Sequence, residues 1–186
     1  MAVDMGESGD AVMQGNAGQA TAGPEIWVRG PVGEAEVLPQ EPEPLASAGA
    51  RRFSWVATHG GAGSTTLAAV FGGHDAGRNW PRPEHGEPGS VLLVGRTHAA
   101  GLDAVSHTLD IFRRGDAPPG LDLDAIVLVA DAPGRLPRQL VQRVKVIGSV
   151  VDVHRVPWVP AWRTGDLTGP PPRESAALAR LTGRTP

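Results

Sequence analysis

Cysteine is absent from this chain and lysine nearly so, with Lys145 the only one in 186 residues. Without thiols there is neither a disulfide framework nor a thiolate metal site, and the six histidines are scattered rather than set at ligand spacing. Neither zinc nor haem is expected. No apolar run approaches the roughly 20 residues that span a bilayer, and the opening MAVDMGESGD has neither the basic region nor the apolar core of a signal peptide. A cytoplasmic protein with no membrane attachment is the expectation. Arginine, alanine, glycine and proline abound instead, as codon choice in a GC-rich genome favours. Hydrophobic residues make up 40% of the chain, enough for one globular domain with little room for a second.

Charge is divided along the chain. Residues 1–50 carry eight acids against the single Arg29, a net charge of −7, and the remainder carries +4. The first 50 residues are rich in Gly, Ala, Pro and Glu with few large apolar side chains, so they bury too little surface to offset the entropy of ordering. A disordered acidic tail is expected there. It either solubilises the chain or folds back on the basic domain. Its one apolar stretch, Ile26-Trp27-Val28, is suited to docking as an edge strand or to binding a partner.

From residue 51 short β-branched runs alternate with helical periodicity, which points to an α/β domain of three layers with a mainly parallel sheet of about four to five strands over 51–164. Strands are predicted at Phe53–Ala57, Val91–Val94, Ala125–Ala130 and Val151–Val156. Helices are predicted at Thr65–Phe71, capped by Ser64 or Thr65, at Ala99–Arg113, which ends at Gly115, and at Gln139–Ile147. Residues 72–89 hold five glycines and three prolines and read as one long loop. A C-terminal extension covers 165–186, with a short helix expected over 173–182, and Trp158 and Trp162 are expected to cover a core edge.

The sharpest motif is THGGAGSTT at residues 58–66. A strand ending at Ala57, a Gly-Gly-Ala-Gly turn and a helix beginning at Ser64 or Thr65 form a strand, phosphate loop and helix. Glycines there let the chain pass close to phosphate oxygens, while successive N–H groups and the helix N-terminus supply positive potential. Candidate binding residues are Gly60, Gly61, Ala62, Gly63, Ser64, Thr65 and Thr66.

This motif resembles the deviant Walker A sequence of the ParA and MinD family of ATPases, Lys-Gly-Gly-x-Gly-Lys-Thr-Thr. Gly60, Gly61 and Gly63 fall on the family's glycines, and the resemblance gives Thr65 the Mg²⁺-holding hydroxyl of a nucleotide complex. Both lysines are missing. His59 stands at the signature lysine, and Ser64 at the lysine that contacts the β- and γ-phosphates. Only Arg51, Arg52, Arg78, Arg82 or Arg96 is near enough in sequence to substitute, and His59 reads as a loop residue in solvent. Losing a charged hydrogen bond to phosphate costs about 1.5–3 kcal/mol of binding, and more of transition-state stabilisation. The family's Walker B aspartate has no counterpart on an apolar strand, because Asp75, Glu84 and Glu87 all lie in the stretch read as loop.

Downstream, VLLVGRTHAAGLDAV resembles the family's strand and helix after the switch. AIVLVADAPGRLP resembles the strand whose terminal polar residue faces the base, which puts Asp131 there, and RVPWVPAWR resembles the last strand, ending in proline. Asp131 equally suits an Asp-Ala-Pro-Gly turn. The loops at 58–65, 96–98 and 131–135 are expected to converge beyond the carboxyl ends of the strands, with Arg96 and Arg135 the candidate phosphate contacts.

The whole is similar to uncharacterised, shortened and lysine-less proteins of GC-rich bacteria, some linked with plasmids or conjugative elements. The resemblance implies weak Mg-ATP or Mg-ADP binding by a pseudo-ATPase, acting on a protein partner as switch or adaptor in segregation, conjugation or a related assembly. A scaffold that binds no nucleotide and an active ATPase with a remote or partner-supplied arginine stay open. No clustered basic patch suggests direct DNA binding, and the sequence leaves the oligomeric state open.

Overall fold

The computed structural model describes residues 51–184, so the tail read over 1–50, with its Ile26–Val28 segment, lies outside the described residues. The β-branched and aliphatic runs build strands β1 Ser54–Ala57, β3 Ser90–Arg96, β4 Asp122–Val129 and β5 Val153–Val156, with the short β2 His74–Asp75 added at one edge. Every pairing is parallel, and the order across the sheet is β2-β1-β3-β4-β5. The helices are α1 Ser64–Phe71, α2 Ala99–Arg114, α3 Arg138–Gly148, α4 Pro160–Arg163 and α5 Ala176–Leu181.

Successive strand residues point to opposite faces, and in this sheet both faces are apolar. Phe53, Trp55, Val94 and Val127 pack with Leu67, Val70 and Phe71 of α1 and with Leu178 of α5. On the other side Val56, Leu93, Ile126 and Leu128 pack with Leu102, Val105 and Leu109 of α2 and with Ile147 of α3. The domain is therefore helix, sheet, helix, and the unbroken apolar run 125–129 belongs to a strand covered on both faces. Each large side chain withdrawn in this way contributes about 1.5–3 kcal/mol, opposed by the entropy of fixing it. Trp55 shows how a polar atom is accommodated in such a core: the ring is fully buried, and its Nε1–H donates to the Gly72 carbonyl at 2.7 Å.

Two segments depart from the sequence expectation. The stretch 72–89 is not one loop, for it contains β2 and a 3₁₀ turn at Pro83–His85. β2 lacks the apolar run that marks a strand; it forms because the His74 and Ala76 N–H groups donate to the Phe53 and Trp55 carbonyls, each at 3.0 Å. The second is PAWR, which forms α4 with Pro160 in its first turn, a position where a missing N–H costs nothing.

Connectivity then places the site. The chain leaves β1 through α1 on one face and runs outward to β2, whereas it leaves β3 through α2 on the opposite face and runs toward β4 and β5. Strand order reverses between β1 and β3, and a crevice opens beyond their carboxyl ends, where open parallel sheets bind ligands.

Candidate phosphate-binding site

The loop between β1 and α1 is shaped by its glycines. Gly61 and Gly63 have φ of 74° and 109°, conformations that cost an L-residue about 1–2 kcal/mol. Ala62 between them is buried, its N–H donating to the His59 carbonyl at 3.3 Å, while Gly60 is exposed. The expected cap on α1 is not formed. Gly63, which has no side chain to offer, is the N-cap residue and no side chain caps the helix among the described residues, while the Thr65 hydroxyl donates to Asp75. The first N–H groups of α1 are thus left aimed at the crevice, where the helix also presents its positive end.

Arg96, at the end of β3, crosses this crevice. Its Nε–H donates to the Gly61 carbonyl at 3.1 Å and its Nη1–H to the Ala130 carbonyl at 3.0 Å. Nη2 lies toward Gly63, 3.9 Å from where a β-carbon there would sit. Burial lowers the Arg96 pKa from its ordinary value and the charge of Arg163 lowers it further, with Asp131 opposing both. The guanidinium stays charged but is under-compensated. It lines a cavity of about 430 Å³ together with the loop 59–66, Arg78 and Arg163. Three arginines and no carboxylate face that space.

His59 is not the solvent-facing loop residue the sequence suggests. Its Nε2 accepts the Arg96 backbone N–H at 3.0 Å, and its Nδ1 lies 2.9 Å from the Gly60 carbonyl. Through these two bonds the ring ties the loop to the end of β3. A signature lysine in this position would have no such acceptor.

Asp75 also departs from expectation. It ends β2 beside β1, where its Oδ2 accepts the Thr65 hydroxyl at 2.6 Å and its Oδ1 accepts the Gly77 N–H at 3.0 Å. Burial alone pushes its pKa up, but the hydrogen bonds from Thr65, Gly77 and Ser64, with the charge of His74, outweigh that and hold it below the ordinary carboxylate value. Thr65 and Asp75 offer neighbouring oxygen donors of the kind Mg²⁺ prefers, so the residues present fit an Mg-nucleotide. Among the described residues no three acidic or histidine side chains gather as a metal cluster.

The remaining candidates separate. Thr66 lines the cradle and also a smaller slot of about 150 Å³ beside it, walled by Pro157, Trp158 and Trp162. Asp131 is exposed; its backbone N–H donates to the buried Thr97 hydroxyl at 3.1 Å, and it lines a different cavity with Arg135. Arg135 therefore does not join the phosphate loop, and its place there is taken by Arg163. Sequence reasoning missed Arg163 and set Asp75 aside as a loop residue. The Pro-Ala-Trp-Arg string holds a weak signal, a proline able to start a helical turn that presents the arginine, whereas β2 has no periodicity to read.

The sequence model of a family of unknown function (DUF6668) matches residues 53–178, which takes in all five strands and the whole crevice. No curated protein and no solved structure matches the chain. No helix among the described residues is long and apolar enough to cross a membrane.

Proposed function

We propose, from the premise that this chain belongs to the family of unknown function DUF6668, that it is a phosphate-cradle protein. In this reading it binds the phosphates of Mg-ADP or Mg-ATP without efficient turnover and signals the bound state to a protein partner in the cytoplasm. The observation that carries the reading is Arg96: a half-buried guanidinium hydrogen-bonded across the mouth of a loop whose helix N-terminus has no side-chain cap. Backbone N–H groups and a guanidinium are the two donor types that phosphate oxygens take best, and here Arg96 stands in for the absent loop lysine. Thr65 and Asp75 would hold the Mg²⁺, which supplies charge neutralisation of the phosphates. Residues 60–66 cradle the anion, and Trp158 and Trp162 flank the adjoining slot.

Slow turnover follows from the same residues. Ser64 cannot reach phosphate as a lysine does, and Arg96, held to two carbonyls through its Nε–H and one Nη1–H, has only its other N–H donors for phosphate and resists moving with developing charge. The proposed role is accordingly that of a switch or adaptor, with segregation, conjugation or a related assembly as the setting suggested by resemblance to ParA and MinD proteins. A second reading rests on the same Arg96 bonds, which also suit a plain strut bracing a ligand-free turn.

Thermal melts decide between the two readings. A nucleotide at about 100 times its dissociation constant stabilises a protein by about 2.7 kcal/mol, so Mg-ADP at millimolar concentration should raise the melting temperature by several degrees. An unchanged melt would leave only the strut. A phosphate-release assay should return a rate far below that of lysine-containing relatives of the resembled family.

A further inference from the structure

Arg163 has no role in holding the fold together that its surroundings disclose. It is exposed at the end of α4, and none of the ion pairs among the described residues includes it. Its guanidinium carbon lies 4.3 Å from the centroid of the Trp158 ring. Trp158 follows Pro157 just beyond the end of β5, so the stack fixes the arginine at a defined height above the sheet's carboxyl edge. There it lines both the phosphate cradle and the neighbouring slot, at the boundary the two share with Gly63, Thr66 and Arg96.

We propose that Arg163, presented by α4 and held by its stack on Trp158, is a second phosphate-binding cation of the cradle, and that the ligand is therefore an anion with at least two linked phosphoryl groups. The inference rests on the phosphate-binding reading above and adds to it the residue that contacts a second phosphoryl group. A guanidinium binds a phosphoryl group through two parallel N–H donors. Arg96 faces the cradle from the β3 side, and Arg163 faces it from the C-terminal segment. A diphosphate offers one phosphoryl group to each guanidinium and leaves further oxygens for the N–H groups of α1. The electrostatics agree: burial lowers the Arg96 pKa, and the neighbouring Arg163 charge adds to that lowering, with Asp131 opposing. A polyanion between two guanidiniums relieves that repulsion.

The stack explains how an exposed arginine keeps its direction. Cation–π contact on a tryptophan is worth about 0.5–1 kcal/mol at an exposed site, enough to favour one orientation and weak enough to let the guanidinium adjust to a ligand. Binding then links the C-terminal segment to the loop 58–66, two parts of the chain that lie about a hundred residues apart in sequence.

The experiment is a titration of orthophosphate, pyrophosphate and Mg-ADP, each followed by calorimetry and tryptophan fluorescence, on the full chain and on Arg163→Ala, Arg163→Lys, Trp158→Leu and Arg96→Ala. The expected result is a loss of roughly 10- to 100-fold in affinity for pyrophosphate and Mg-ADP in Arg163→Ala, with orthophosphate changed far less. Arg163→Lys and Trp158→Leu should fall between, the first keeping the charge without the fork and the second keeping the fork without its support. Equal loss for pyrophosphate and Mg-ADP identifies the phosphoryl chain as the group contacted. If Arg163→Ala binds Mg-ADP as the unaltered chain does while Arg96→Ala does not, the role of Arg163 is wrong and the phosphate-binding reading stands. If the unaltered chain binds none of the three, both are wrong. Matching melting temperatures of the Arg163 variants in the absence of ligand exclude misfolding as the cause, since the residue is exposed.

Discussion

His59, Asp75 and Arg96 each hold the loop through a side-chain hydrogen bond. The His59 ring accepts the Arg96 backbone N–H, so His59→Lys, which restores the residue type of the resembled family, should lower stability rather than improve function. Leaving the partly buried Arg96 N–H without its acceptor costs about 1–3 kcal/mol, readable as a reduced urea midpoint. Asp75 has its pKa depressed, so its contribution is present above the unfolded-state value near about 3.9 and fades as the pH falls through the lower folded value. His154 also has its pKa depressed, by burial, with Asp152 partly opposing. Because the folded state resists its protonation, stability declines as the pH falls below about 6.5 and levels off beneath the folded value. Acid melts should therefore weaken in two stages: His154→Gln should flatten the first, and Asp75→Asn the second. A single-stage profile unchanged in both variants would contradict these assignments. The sequence pointed to Arg96 by its place after a strand but hid Asp75, because an edge strand of two residues leaves no pattern of alternation.

Among the elements, the short helix α1 matters most, since it is eight residues long and begins without a side-chain cap. With Gly63 as its N-cap, the missing side-chain cap costs the helix only about a few tenths of a kcal/mol, so the first-turn N–H groups stay open at little expense in stability. The seat of α2 is equally specific. Gly101 in its first turn lies so near the loop after β3 that an added methyl would run into the Arg96 carbonyl oxygen, with His59 Nε2 at 3.1 Å. Backbone cannot yield as a side chain does, so Gly101→Ala should destabilise by about 1–3 kcal/mol and disturb phosphate binding through Arg96. Gly60→Ala, where nothing lies within 4 Å and φ is not positive, should leave the denaturation midpoint unchanged; equal destabilisation of the two would refute the packing account. Strands and helices with strong periodicity, β4 and α2 above all, were legible from apolar spacing. The caps and turns of α1 and α4 were not, because a glycine-rich turn has the same composition whether its N–H groups find a hydroxyl or face an open crevice.

At the scale of the molecule, a parallel sheet between two helical layers brings β1, β3 and the segment after β5 to one crevice. The three-layer class could be read from alternating β and α patterns, and the crevice from the rule that ligands of open parallel sheets bind beyond the carboxyl ends of the strands. What could not be read was which arginine enters it, since Arg135 and Arg163 both follow strands and only the path of the C-terminal segment separates them. The family match over residues 53–178 encloses this crevice. The central claim is that the loop at residues 58–66 binds phosphate with Arg96 in place of its lysine. Isothermal titration of the full chain and of Arg96→Ala with Mg-ADP tests it most directly. Saturable binding by the full chain, weakened by one to two decades in the variant as expected for a lost charged hydrogen bond of about 1.5–3 kcal/mol, is the predicted result. No heat at millimolar nucleotide, or equal affinity in both proteins, would contradict it.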